Sequence, residues 1–173
     1  MERDYFIKTK RIGFSEWTSS DMTLAEVLWG DKAVTRYICS CGAFRHEDIE
    51  TRLQQEIRNQ EEYHVQYWPI FDLRSNEFIG CCGLRPHQAG VYEIGFHLRP
   101  MFWGQGYAVE AARAAIQYAF TSLQAESLFA GHNPKNSASR HVLEKLGFRY
   151  IGDEYYEPTG LYHPSYELSQ TND

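Results

Sequence analysis

The feature that most constrains the fold is a strand that runs into a glycine-containing loop and then directly into a helix. Apolar residues recur at every second position over 92–98, which is the period of a strand. The alternation places Tyr92, Ile94, Phe96 and Leu98 on one side and Glu93, Gly95 and His97 on the other. Pro100 ends this strand, and a helix is predicted over 108–120. A strand, loop and helix in this order leave the first backbone N–H groups of the helix without partners.

The loop between the strand and the helix has a sequence suited to binding an anion. It reads Phe102-Trp103-Gly104-Gln105-Gly106-Tyr107-Ala108. Two glycines allow the backbone to turn tightly and a ligand to approach it closely. The free N–H groups and the positive end of the helix dipole favour a phosphate or pyrophosphate. A tight turn that simply requires two glycines is the competing interpretation.

Two other phosphate-binding patterns are weaker. The chain contains no G-x-x-x-x-G-K-[ST] motif, so a P-loop is excluded. A dinucleotide-binding fingerprint requires a third glycine where this chain has Val109, although Glu126 follows at a suitable distance. The mainly antiparallel pattern before the loop also disfavours a nicotinamide-dependent oxidoreductase, because that fold begins with βαβ units.

The remaining pattern predicts a mixed α+β fold, with residues 1–173 forming one domain. Further strands are predicted at 10–14, 65–72, 77–84, 128–131, 149–157 and 162–168, and further helices at 21–28, 46–62 and 137–146. The crossover through the helix at 108–120 places 128–131 parallel to 92–98. The expected architecture is a mostly antiparallel sheet of about six or seven strands, flanked by about four helices.

Composition narrows the range of partners. The net charge is −6 and no cluster of Lys and Arg is present, so nucleic acid is not an expected partner. The four cysteines, at positions 39, 41, 81 and 82, form no C-x-x-C pair, and we expect reduced thiols and no bound metal. No signal-peptide pattern or membrane-length apolar run is seen, which predicts a cytoplasmic protein without membrane association. Monomer and homodimer both stay open.

Residues 92–148 resemble the GNAT superfamily of N-acetyltransferases. The segment 103–108 is similar to the pyrophosphate signature Q/R-x-x-G-x-G/A of that superfamily, with Trp103 in place of the usual Gln or Arg. This departure resembles the RimJ/RimL-like branch, which acetylates the N-termini of ribosomal proteins. Residues 133–139, continuing to 144–148, are similar to the second CoA-contacting region. The resemblance implies a GNAT-like fold for the whole chain.

The resemblance also implies an activity and a cosubstrate. The expected enzyme is an acyl-CoA-dependent N-acyltransferase that moves acetyl from acetyl-CoA to a primary amine, either a protein N-terminus or a small molecule. Loop amides would hold the pyrophosphate, and the strand backbone near Phe96 would pair with the pantetheine arm. The implied cosubstrate-binding residues are Phe96, His97, Leu98, Trp103, Gly104, Gln105, Gly106, Tyr107, Ala108, Asn136 and Ser139.

Acetyl transfer requires that the amine lose a proton and that the tetrahedral oxyanion be stabilised. Glu93 is the predicted base, directly or through a water, because it lies on the strand beside the expected thioester. A salt-bridged surface carboxylate is the competing interpretation. His97 shares the face of Glu93 but lies about 13 Å along the strand, too far for a direct dyad. The backbone N–H of Phe96 or a neighbour is the predicted oxyanion partner.

The leaving thiolate must also receive a proton. The resemblance places the usual tyrosine of the family at Leu143, so that acid is missing here. Ser139, one helical turn after Asn136, is the predicted replacement, and an ordinary hydroxyl at a helix start is the competing interpretation. Departure of the thiolate without a protein acid also stays open. The missing tyrosine leaves one alternative function, a non-catalytic acyl-CoA-binding module.

Overall fold

One eight-stranded sheet organises the computed structural model, which describes residues 2–170. The strands are β1 (Ile7–Lys8), β2 (Ile12–Phe14), β3 (Tyr67–Asp72), β4 (Phe78–Gln88), β5 (Val91–Leu98), β6 (Ser127–Gly131), β7 (Arg149–Tyr156) and β8 (Leu161–Ser169). The helices are α1 (Met22–Trp29), α2 (Lys32–Thr35), α3 (His46–Tyr63), α4 (Tyr107–Thr121) and α5 (Ser137–Lys145), with 3-10 turns at Ser19–Asp21 and Pro100–Phe102. The predicted mixed fold is confirmed.

The sheet and the helix layer are slightly larger than the sequence predicts. The strand β1 has two residues and the helix α2 has four, and both were missed. Elements this short contain too few residues to display a period of 2 or 3.6.

Strand order explains how a cleft arises in the sheet. The order is β1-β2-β3-β4-β5-β6-β8-β7, and every neighbouring pair is antiparallel except β5 and β6. The parallel pairing predicted for these two strands is confirmed, but it joins only 91–93 to 127–129. Because β5 continues to Leu98, its second half has no neighbouring strand on that side among residues 2–170, and the two strands open into a V.

Helix α4 covers one face of the sheet and lies close to it. Its buried residues are Tyr107, Ala111, Ala112, Ala115 and Ala119. Four alanines on one stripe allow the helix backbone to approach the strands closely. Val109 and Ile116, at the edges of this stripe, are only half-buried.

Helices α1 to α3 cover the opposite face. Cys81 and Cys82 point to different faces, as their adjacency on a strand predicts, and they belong to separate core clusters. Helix α3 buries only Ile49, Leu53, Glu56 and Asn59, because most of its surface is polar. None of the helices in residues 2–170 combines the length and apolar character needed to cross a bilayer.

Candidate active site

A cavity of about 850 Å³ lies where β5 and β6 separate. One wall consists of β5, the glycine loop and the first turns of α4 and α5, and the other of parts of α2, α3 and the β7–β8 hairpin. The predicted site residues that line it are Glu93, Phe96, His97, Leu98, Trp103, Gly104, Gly106, Tyr107, Ala108, Asn136 and Ser139. Gln105 does not line it, because its side chain is exposed and donates to the carbonyl of Met101 at 2.8 Å.

The two loop glycines are required by backbone conformation. Gly104 has a φ of +71° and Gly106 a φ of +81°, both in the left-handed region that other residues rarely adopt. A methyl group added at Gly104 would meet no atom within 4 Å. Gly106 immediately precedes α4, so its conformation sets the direction in which the first N–H groups of the helix point.

Arg11 holds the loop from the side away from β5. Its Nε lies 2.8 Å from a carboxylate oxygen of Glu110, and its Nη1 donates to the carbonyl of Gln105 at 3.0 Å. The guanidinium also lies 4.0 Å from the ring centroid of Tyr107, whose hydroxyl donates to Asp72 at 2.7 Å. Sequence reasoning missed Arg11, which is separated from Glu110 by 99 positions.

The Glu110 carboxylate is held in its ionised form at the start of α4. Partial burial acts to raise its pKa, but hydrogen bonds from Thr9 and Arg11 outweigh burial and lower the pKa. The positive end of the helix dipole also stabilises a carboxylate in the first helical turn.

Trp103 closes the end of β5. Its indole N–H donates to the carbonyl of Leu98 at 2.8 Å, and the side chain is half exposed. The residue that replaces the usual Gln or Arg therefore caps a backbone carbonyl that was expected to face the pantetheine arm.

The backbone of Phe96 points into the opening between the strands. The backbone N–H of Arg99 donates to the carbonyl of Ile79 at 2.9 Å, and the same register continues along β4 and β5. Hydrogen-bonded and non-hydrogen-bonded pairs alternate in an antiparallel ladder. The N–H and C=O of Phe96 are therefore directed away from β4, towards the side from which β6 has diverged.

The start of α5 forms another part of the cavity wall. The side-chain oxygen of Asn136 accepts from the backbone N–H of Ser139 at 3.2 Å, so Asn136 caps the helix. This bond uses the amide oxygen and fixes the direction of the amide nitrogen. Leu143 is buried in the core, so no hydroxyl is available at the family's usual acid position.

His97 occupies a packing position on the face of β5 opposite α4. Its Nδ1 accepts from the indole N–H of Trp29 at 3.1 Å, and its ring packs edge-on against Tyr67. Burial, with the charges of Arg52 and Arg85, lowers the pKa of His97 well below its usual value. The imidazole is therefore neutral at pH 7.

Two curated relatives are similar in sequence. YkkB from Bacillus subtilis is 43% identical over 96 residues, which is 54% of this chain and 56% of YkkB, so the match spans about half of that protein. The N-acetyltransferase p20 from Bacillus licheniformis is 29% identical over 147 residues, covering 83% of this chain and 82% of p20.

The fold is shared with a solved structure of RimL, a ribosomal L7/L12 alpha-N-protein acetyltransferase in complex with coenzyme A. The TM-score is 0.80 at 16% identity, covering 96% of this chain and 98% of RimL. The family model described as an acetyltransferase (GNAT) domain matches residues 11–149, from β2 to the start of β7. This match includes the strand opening, the glycine loop and the start of α5, and the chain therefore belongs to the GNAT acetyltransferase family.

Proposed function

We propose that the protein transfers an acetyl group from acetyl-CoA to a primary amine. The observation that carries this proposal is the opening between β5 and β6, which leads to a left-handed glycine loop at the start of α4. An extended thioester can add to the free edge of β5 as a strand would, while its pyrophosphate meets the helix N-terminus. Family membership and the N-acetyltransferase relatives support the same activity.

The residues present suit the cosubstrate. The amides of 104–108 supply N–H donors for the pyrophosphate, and the backbone of Phe96 supplies a donor and an acceptor for the pantetheine amides. The amide nitrogen of Asn136 is left to donate to the same arm, because its oxygen caps α5. Arg11 and Glu110 keep the loop in position without entering the cavity.

Direct attack accounts for the chemistry without a protein nucleophile. Glu93 accepts a proton from the ammonium, and the free amine attacks the thioester carbonyl. The N–H of Phe96 donates to the oxyanion of the tetrahedral intermediate. As the intermediate collapses, the C–N bond is kept and the C–S bond breaks. The nitrogen loses its second proton and the thiolate takes a proton, so that the products are a neutral amide and the thiol of CoA. Ser139 is the side-chain hydroxyl proposed for that last step, since Leu143 cannot donate.

The proposal is tested by measuring release of free CoA thiol from acetyl-CoA with a panel of primary amines, together with mass spectrometry of the amine. We expect thiol release that depends on the amine and a product heavier by one acetyl group. Saturable CoA binding without thiol release for any amine would favour the alternative, a non-catalytic acyl-CoA-binding module.

A binding measurement separates the cosubstrate from the acceptor. Acetyl-CoA or CoA at about 100 times its dissociation constant should raise the free energy of unfolding by about 2.7 kcal/mol, whereas NADH should not. A rise with NADH alone would overturn the assignment of the loop. Use of acetyl-CoA also supports the cytoplasmic location that we propose.

A further inference from the structure

A pair of arginines lies in the cavity on the face of β5 that carries Glu93. Arg52 comes from α3 and Arg85 from β4, and both line the cavity. Their guanidinium carbons lie 5.2 Å and 4.3 Å from the ring centroid of Tyr67. Tyr67 thus brings together two cations that are 33 positions apart in the sequence.

The buried carboxylate beside this pair already accepts hydrogen bonds from protein groups. Glu56 is buried, with 1% of its surface exposed, and its Oε1 accepts from Nε of Arg52 at 2.9 Å. Its Oε2 accepts from the backbone N–H of Tyr67 at 2.6 Å. Arg85 reaches Glu56 only at 3.8 Å, beyond hydrogen-bond distance. Glu56 therefore fixes α3 against β3 and leaves part of each guanidinium free.

Two guanidinium donors have no acceptor. Nη2 of Arg52 and Nε of Arg85 are buried and make no hydrogen bond within residues 2–170. Arginine cannot shed its proton to escape this cost, and a buried donor without a partner is unfavourable. These two nitrogens are enclosed, but 16% of the Arg52 side chain and 29% of the Arg85 side chain stay exposed, and both residues line the cavity. An oxyanion in the cavity can bind these exposed parts and offset the charge of the pair, and guanidinium groups bind carboxylate and phosphonate oxygens with matching geometry.

The position of Glu93 relative to this pair defines the rest of the ligand. Arg85 and Glu93 are direct cross-strand partners in a hydrogen-bonded pair, which sets their Cα atoms about 5.5 Å apart. An anion at the arginines and an ammonium at Glu93 are thus separated by only a few covalent bonds. This is the charge arrangement of an amino acid.

We propose that the acceptor is a small amino acid-type molecule, in which the acetylated amine lies a few bonds from a carboxylate or another oxyanion. Arg52 and Arg85 bind the anion, and Glu93 binds and deprotonates the ammonium. This inference rests on the acetyl-transfer function proposed above. A free small molecule fits better than a peptide because the unused donors lie inside the protein, where a peptide chain would have to follow its first residue.

The test compares matched amines. Thiol release is measured with α-, β- and γ-amino acids and aminophosphonates, with the amide and the decarboxylated amine of each, and with a short peptide beginning with glutamate. We expect kcat/KM for the best amino acid to exceed that for its amide by at least about tenfold. Equal values for amino acid and amide, or an equal value for the peptide, would overturn the proposal.

Variants of the two arginines test whether these side chains bind the anion of the acceptor. Arg52→Gln and Arg85→Gln should each lower kcat/KM for the amino acid by about 10- to 100-fold, chiefly through KM, and should lower that for the decarboxylated amine much less. Arg85→Lys retains the charge and should recover part of the loss. Arg58→Gln is the matched control, because Arg58 is an exposed arginine of α3 whose guanidinium, among residues 2–170, donates to the side-chain oxygen of Gln55 and to no carboxylate. Equal losses for charged and neutral amines would contradict the assignment, and urea unfolding of each variant identifies loss of folding.

A second readout keeps this inference separate from the proposed function. If no amine releases thiol although CoA binds, acetyl transfer is contradicted, and the anion site is then tested by thermal unfolding with CoA plus an amino acid or its amide. The anion site is supported if the amino acid stabilises the CoA-bound protein, its amide does not, and the stabilisation is lost in Arg85→Gln. The absence of any such difference would refute it.

Discussion

At the scale of single residues, Gly95 links the β5 backbone to the part of the cavity lined by Tyr67, Arg52 and Arg85, which we call the acceptor wall because the proposed acceptor binds there. A methyl group at this position would overlap the ring and hydroxyl of Tyr67, which is itself buried. We predict that Gly95→Ala lowers the free energy of unfolding by about 1–3 kcal/mol, because the ring must move within a packed core. The measurement is urea unfolding. In the double variant with Tyr67→Leu the cost should be smaller than the sum of the two single costs, and strict additivity would contradict the steric explanation.

Glu93 is the residue whose role depends most on pH. If it removes a proton from the amine, Glu93→Gln should lower kcat/KM by about 10²- to 10⁴-fold at pH values below the pKa of the acceptor. The deficit should shrink as pH rises past that pKa, about 8 for an α-amino group, because the free amine then needs no base. Glu154→Gln is the control, since Glu154 is an exposed carboxylate that lines the same cavity. A deficit that is constant from pH 6 to 9 would remove Glu93 from the proton transfer.

At the scale of elements, the loop before α4 should bind the pyrophosphate through its conformation. We predict that Gly106→Ala weakens CoA binding by at least about tenfold, because a left-handed alanine costs about 1–2 kcal/mol and the loop can relieve this by rotating its N–H groups. Gly160→Ala is a matched control at the β7–β8 turn, with a φ of +69° and open space around it. It should lose similar stability without losing CoA affinity. Equal calorimetric affinities in the two variants would refute the placement of the pyrophosphate.

The elements that carry strong periodicity were predictable from the sequence. The helices α1, α3, α4 and α5 and the strands from β3 to β8 lie where alternation and helical spacing place them, within a few residues. The loop could be predicted because its chemistry is local, with the glycines and the helix start adjacent in the chain. The three-residue strand β2 lies within the strand predicted at 10–14, but β1 and α2 were missed, because each is too short to show a period of its own.

The acceptor wall was not predictable because its parts are distant in sequence. Nothing near Arg52 in the sequence indicates that its guanidinium lies beside the ring of Tyr67, as that of Arg85 does. The arrangement depends on how α3 packs against β3 and β4. The hydrogen bond from Arg11 to Glu110 was not predictable for the same reason, since it joins the β1–β2 turn to α4. Glu56 lies on the buried face of α3, but its place in the sequence does not reveal which groups it binds there.

At the scale of the whole molecule, the sheet separates the two halves of the proposed reaction. The cosubstrate elements, α4 and α5 with the loop, meet the cavity from one side, and the arginine pair with His97 meets it from the other. Strand β5 belongs to both, because Phe96 turns its backbone to the opening and Glu93 turns its side chain to the arginines. In the proposed reaction both substrates therefore bind beside the same strand, β5. This strand is paired with β4 along its whole length.

Burial of His97 beneath α1 should make stability depend on pH. The pKa of His97 is well below its usual value in the folded protein, because of burial and the nearby charges of Arg52 and Arg85, and returns to about 6.5 on unfolding. Below pH 6.5 the unfolded chain therefore binds a proton that the folded protein does not, and stability falls as pH falls. For this histidine the loss is about 1 kcal/mol between pH 6.5 and 5.5.

The variant His97→Gln should remove this part of the pH dependence. Glutamine can still accept from the indole of Trp29, so the packing and the hydrogen bond of the imidazole are largely kept. We predict that urea unfolding at pH 7.5, 6.5 and 5.5 shows a shallower loss of stability in this variant than in the wild type. His141→Gln, at an exposed position on α5, should keep the wild-type slope. His163, whose pKa is lowered by burial and by His132, contributes to the slope that remains. Identical slopes in His97→Gln and the wild type would mean that His97 has the same pKa in the folded and unfolded protein. Below that pKa the arginine pair would then face a third positive charge across Tyr67.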